Sequence, residues 1–326
     1  MSLSEAIGGY LGLHINPGKA YYSDLVELNT GRNAFEYILL ARKYKKVYIP
    51  YFTCDAVLEP IHKHNIEYSF YRIDSRLEPV DVPILEQHEA FLYTNYFGLK
   101  TQFISSSSHR ICNLIIDNAQ AFFSRPLVGV DTFYSPRKFF GLPDGGYAST
   151  TALLHQAFPQ DISAGRCSHL LLRLDTEPEI GFESYKNNEN DLADKPIMQM
   201  SKLTKSILNG ITYDWALERR NNNFAFLHNI LRNYNKFQWL DEIHIEGPLV
   251  YPFYTDNDKL RDWLATKKIY TATYWPNVFK TAGKNTLEYA LASNVVYLPV
   301  DQRYNEESMT HIINHILYYY GIQNKI

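Results

Sequence analysis

Cysteine is scarce in this chain. Cys54, Cys112 and Cys167 are the only three among 326 residues, they lie far apart, and none belongs to a Cys-x-x-Cys pair. An odd, scattered set indicates neither a disulfide framework nor a zinc site, so no metal is expected. Long apolar runs are missing as well. No stretch approaches the ~20 residues that a membrane-spanning helix needs. Met1–Tyr10 has no basic start leading into an apolar run, so no signal peptide is expected and the sequence reads as cytoplasmic. Nor does charge of one sign dominate. With 32 basic and 35 acidic residues the net charge is −3, which gives no reason to expect nucleic acid or a membrane surface as partner. No internal repeat is found.

What the chain does have is aromatic side chains, 15% of its residues, in an otherwise ordinary globular balance of 45% hydrophobic and 21% charged residues. That supply implies extensive burial in cores or interfaces. The length calls for two domains, or one large domain with a satellite.

Short apolar segments alternate with helical ones. Residues 1–29 are mixed and Gly-interrupted, and read as an arm on the surface. Thr30 stands where an N-cap would open a helix, with Phe35, Ile38 and Leu39 on one face. Strands are expected at Val47–Pro50, Glu67–Ile73, Ala90–Gly98, Cys112–Asp117 and Val130–Tyr134, with a helix over Asp55–His64 and a loop or helix edge at Ser105–Ser108. This βαβ succession predicts a mostly parallel sheet, whose ligands collect at the C-terminal strand ends. His62 and His64, two apart on a helix, read as solvated. From Thr150 the pattern turns helical, with a polar loop at Lys186–Asp194 and helices over Met200–Leu208 and Thr212–Tyr234. After Gly247-Pro248 alternation resumes: strand Leu249–Tyr254, helix Asp256–Lys267, strand Asn294–Pro299 and a closing amphipathic helix Glu306–Tyr320. The expected division is 1–240, arm and large domain, and 241–326, a smaller α/β domain.

Two positions carry chemical interest. Asp117 is an acid at the end of an apolar strand, placed equally well for a ligand or as a helix cap. Lys138 lies in Ser135-Pro136-Arg137-Lys138-Phe139-Phe140, ahead of Gly145-Gly146. A lysine among aromatic residues that exclude water loses part of its charge and becomes a nucleophilic amine. The glycines allow a sharp turn or a close backbone approach.

In this order the landmarks resemble those of the DegT/DnrJ/EryC1/StrS aminotransferases, the sugar-modifying branch of the fold-type I pyridoxal-phosphate enzymes. Thr30-Gly31-Arg32-Asn33-Ala34 stands where the family has its Ser-Gly-Thr-x-Ala phosphate loop. Val47–Cys54 resembles its strand-Pro-x-x-Thr-aromatic turn, and Ile116-Asp117-Asn118-Ala119-Gln120-Ala121 its Glu-Asp-Ala-Ala-Gln/His segment. Lys138 precedes Gly145-Gly146 at the separation of its Schiff-base lysine. Met200-Ser201 and the region of Arg219, Asn222 and Phe224 are similar more weakly.

The resemblance implies a large domain with a mostly parallel sheet flanked by helices, a small C-terminal α/β domain, a homodimer, and pyridoxal 5′-phosphate as cofactor. It implies transfer of an amino group from glutamate or glutamine to a keto-sugar, nucleotide-linked in the family, through a Schiff base on Lys138. Asp117 would keep the pyridine nitrogen protonated. The backbone amides of Gly31, Arg32 and Asn33 and the hydroxyl of Ser135 would hold the phosphate. Gln120 and Cys54 complete the cofactor contacts. Cys54 replaces the family's stacking aromatic, a role then open to Phe52 or Tyr96. The family's Asn-x-Arg before Met200 is absent. Dehydration or elimination on a sugar, or a binding protein that kept the fold without turnover, are the alternatives.

Overall fold

The computed structural model describes residues 7–322. Thr30 caps the first long helix, Gly31–Arg42, with extended φ and ψ and a hydroxyl that accepts the Asn33 N–H at 3.0 Å. That helix buries Phe35, Ile38 and Leu39 against a sheet whose strands are β1 (Val26–Leu28), β2 (Lys46–Pro50), β3 (Glu67–Tyr71), β4 (Glu89–Thr94), β5 (Leu114–Asn118), β6 (Asp131–Tyr134) and β7 (Gly146–Ser149). Their order in space is β1-β7-β6-β5-β4-β2-β3. β7 runs antiparallel to both neighbours and the other contacts are parallel.

β5 shows why the central strands read as continuous apolar runs. Ile115 belongs to the core under the first helix, with Val47, Leu92 and Phe133. Leu114 and Ile116 face the opposite core with Phe91, Tyr93 and Tyr134. A sheet covered on both faces has no polar side to alternate with. The second core continues without a break through the helix Tyr213–Leu231 to an antiparallel pair, β8 (Val250–Tyr254) and β9 (Val295–Pro299), closed by the helix Glu306–Tyr319.

Four expectations need correction. The arm does not stay on the surface throughout: Tyr22 is buried and Val26–Leu28 joins the sheet as β1, while residues 1–6 lie outside the described region. The strand expected to reach Gly98 stops at Thr94, because Phe97 and Gly98 turn with φ of 59° and 76°. The polar stretch Lys186–Asp194 is largely helical, within Phe182–Leu192. Its polarity hid it. The helix buries Leu192 and is tied down by Asn188, which donates to the Pro143 carbonyl at 3.1 Å. Finally, His64 is not simply solvated, since its Nε2 meets the buried Glu36 carboxylate at 2.6 Å.

Candidate active site

Register brings the C-terminal ends of β4, β5 and β6 together: Thr94 pairs with Asp117, and Asp117 with Phe133. Asp117 is buried, and its Oδ1 accepts the Ala119 N–H at 2.8 Å. Burial pushes its carboxyl above the ordinary carboxylate value, while the Lys138 ammonium and the Ala119 amide pull it down. Lys138 therefore stands within electrostatic reach of Asp117. It also pulls down the thiol of half-buried Cys54, which burial raises overall. One lysine, one buried acid and one thiol, far apart in sequence, share one corner.

The helix mouth lies beside them. A Cβ on Gly31 would come within 3.1 Å of the Ser135 Cβ and 3.6 Å of its hydroxyl, so the first turn and Ser135 form one cradle. First-turn amides have no intrahelical acceptor. Here the Asn33 amide is already spent on Thr30, which leaves those of Gly31 and Arg32 for an anion. The side chains of Arg32 and Asn33 turn away. The guanidinium of Arg32 pairs with Glu59 at 3.1 Å, and the Asn33 amide donates to Glu36 and to the Lys195 carbonyl. Of the phosphate ligands expected from sequence, Gly31, the backbone of Arg32 and Ser135 converge, and Asn33 does not.

The two glycines of the pair do different work. Gly145 has a φ of 125°, which side chains rarely adopt. A Cβ on Gly146 would lie 2.2 Å from the Thr30 carbonyl oxygen, so its lack of a side chain lets β7 close against the helix mouth.

Gln120 is pinned through Oε1, which accepts the Phe97 N–H at 3.1 Å, while its buried Nε2 has no partner among the described residues. A buried orphan donor beside the acid suits an oxygen of a bound ligand. The two aromatic residues offered as stacking partners are structural. Phe52 packs edge-on against Trp275 at 4.5 Å, and Tyr96 donates its hydroxyl to the Phe52 carbonyl at 2.9 Å. Cys54 alone of the three remains partly open at the turn.

Lys138 itself departs from expectation. Its aromatic neighbours Phe139 and Phe140 turn into the core and leave the lysine exposed in the single chain, so they do not exclude water from it. The turn is held from beneath by Arg220, which sequence reading passed over for Arg219. Arg220 is 1% exposed, donates to the carbonyls of Phe139 at 3.2 Å and Pro248 at 2.9 Å, and bonds Gln302 at 2.9 Å. Burial lowers its pKa to about 10. Gln302 donates to the same Phe139 carbonyl at 2.8 Å. A one-residue shift of the buried helix face separates Arg220 and Asn223 from the expected Arg219 and Asn222, and the helical period could have found it.

Lys138 opens onto a cleft of about 640 Å³. Its walls carry five cationic side chains, Arg137, Lys138, Arg173, Arg220 and Arg303, against one carboxylate, Asp301. On a chain of net charge −3 this concentration of positive charge favours an anionic ligand. A groove of about 460 Å³ between Leu13–Gly18 and the helix Lys202–Asn209 shares no residue with the cleft and has no charged lining. Among the described residues no His, Cys, Asp and Glu cluster suits a metal, and no helix is long and apolar enough to cross a membrane.

No family model matches the chain, and no curated protein is significantly similar to it in sequence. Solved structures are similar in fold. A DegT DnrJ EryC1 StrS aminotransferase from Brucella abortus superposes with a TM-score of 0.58 at 15% identity, over 92% of this chain and 86% of its own. DesV of S. venezuelae, solved with a ketimine intermediate, gives 0.61 at 16%, over 92% and 85%. DesI, solved in the presence of its TDP-sugar product, gives 0.60 at 13%, over 91% and 80%. The mostly parallel seven-stranded sheet with its antiparallel β7 thus has the fold of these aminotransferase structures.

Proposed function

We propose that the chain is a pyridoxal-phosphate aminotransferase that moves an amino group from an amino-acid donor to a keto-sugar, with Lys138 as its catalytic residue. The observation that carries this is the meeting of a buried strand-end carboxylate, Asp117, with Lys138 beside a helix-mouth cradle, in a fold of this kind. The residues fit the cofactor. The amides of Gly31 and Arg32 and the Ser135 hydroxyl would hold its phosphate, Asp117 would face its ring nitrogen, and Gln120 Nε2 would donate to its phenolic oxygen. Bound there, the cofactor supplies an aldehyde and an electron sink. The chain does the rest. Asp117 holds charge where a ring proton must stay, and Lys138 Nζ provides the amine and moves a proton between substrate and cofactor carbons. The acceptor is read as nucleotide-linked by likeness to the family.

Exposure of Lys138 in the single chain favours a homodimer in which a second copy covers the site. Residues 241–326, which contain β8 and β9, are read as the smaller domain. Borohydride reduction of protein incubated with cofactor, followed by peptide mapping, should label the peptide containing Lys138. Lys138→Ala should fold normally and lose both the label and transamination. A label on another lysine, or full activity in the variant, would reject the assignment. A wild type that never takes up cofactor would instead favour a binding protein.

A further inference from the structure

Within the cleft beside Lys138 the cations are not equivalent. Arg137 pairs with Glu189, Arg303 pairs with Asp301 at 2.7 Å, and Arg220 is used up on backbone carbonyls. The exposed side chains of Lys138 and Arg173 alone make no hydrogen bond or ion pair among the described residues. Arg173 stands on the helix Ser168–Asp175. The nearby acid that feels it, Glu179, already accepts the Tyr270 hydroxyl.

One further lining residue has an unmet polar atom. The Tyr297 hydroxyl is buried without a partner among the described residues, and its side chain is more than nine-tenths buried. Burial and Arg137 hold the His169 pKa below its usual value, so the ring is neutral near pH 7 and adds no fixed charge. A wall with one unspent guanidinium and one unsatisfied buried hydroxyl is short of an oxyanion.

We infer that Arg173 is the specificity-determining residue of this cleft, anchoring a phosphate or carboxylate group of the substrate on the wall formed by the helix Ser168–Asp175. The inference rests on the reading of Lys138 as the reacting amine, which commits that charge and leaves Arg173 to take the anion. The anchor lies within a single subunit. It gives the otherwise acidic chain a means of selecting its substrate by charge.

The test uses the full chain incubated with pyridoxal phosphate, so that the helix-mouth cradle is supplied with its own anion. Pyrophosphate and malonate are titrated calorimetrically at low salt into the wild type, R173K, R173Q and R173E, and Lys138 is labelled with borohydride in each. The expected result is saturable binding of at least one probe, weakened about ten-fold or more in R173Q and further in R173E, and largely kept in R173K. The better probe tells phosphate from carboxylate. Labelling of Lys138 should be the same in all four proteins. Binding of neither probe, or equal binding in wild type and R173E, would overturn the inference while leaving the labelled lysine intact. Arg173-dependent binding in a protein that never labels at Lys138 would keep the anion site and reject the lysine assignment instead.

Discussion

At Asp117 burial and charge pull in opposite directions. The strand end places the carboxyl where water cannot reach it, and its pKa is raised despite Lys138 and the Ala119 amide. A carboxyl whose folded pKa lies above its unfolded value favours folding when protonated. Its contribution is fully present below the unfolded value of 3.8 and is lost as pH rises through the folded value. At neutral pH the buried carboxyl is therefore a cost to the cofactor-free protein. Asp117→Asn keeps an acceptor for the Ala119 N–H and removes the charge. The cofactor-free variant should melt higher than wild type at pH 7, by about 1.5 °C for each kcal/mol regained in a chain of this length, and the difference should vanish in acid. The same variant should hold cofactor weakly and turn over poorly, because nothing keeps the ring nitrogen protonated. An unchanged or lower melting temperature at pH 7 would contradict the account of Asp117 as a buried charge kept for its ligand.

Among the elements, the junction between the first helix and β7 sets the geometry of the corner. Thr30 caps the helix, Gly145 turns the chain with a positive φ, and Gly146 closes onto the Thr30 carbonyl where a Cβ would stand 2.2 Å away. That obstacle is backbone, so it cannot swing aside. Gly146→Ala should destabilise the protein by roughly 3 kcal/mol, the upper end for single substitutions, and should loosen the phosphate cradle. Thermal melts and cofactor titration of the variant check both. By contrast, a substitution at the exposed Gly129, where a Cβ would meet nothing within 4 Å, should cost only the strain of its φ of 79°. If Gly146→Ala melted like wild type, the close approach would not be a constraint.

For the whole molecule, the sheet order explains why residues spread over a hundred positions meet. Parallel strands deliver all their C-terminal ends to one edge, so Asp117 near the end of β5 and Ser135 just after β6 arrive at the same edge. The second core ties this edge to β8 and β9 through Arg220 and Gln302, both bonded to the carbonyl that follows Lys138. What the single chain does not provide is a cover for Lys138. Light scattering of the purified protein should give about twice the chain mass of 37.9 kDa. A mass of one chain at working concentration would leave the lysine open to water and weaken the enzyme reading.

Local chemistry in the sequence determined a large part of this protein. The N-cap at Thr30, the apolar runs of β2, β4, β5 and β6, the Asp117 strand end and the need for glycine at 145 and 146 all follow from hydrogen-bonding capacity, hydrophobic pattern and backbone sterics. These act over a few residues and are legible in order. Tertiary structure alone decided three other matters. The helix Phe182–Leu192 is mostly polar, and its ties to Pro143 and Arg137 together with the burial of Leu192 hold it in place. The aromatic neighbours of Lys138 could have faced the lysine or the core, and packing against Phe122 and Phe123 sent them to the core. Arg173 reads in sequence as one more surface cation. It becomes an unspent charge only because the other cations of the cleft except Lys138 have found partners, Arg303 on its near neighbour Asp301 but Arg137 on Glu189 and Arg220 on Pro248, and the distant pairings are invisible until the chain has folded.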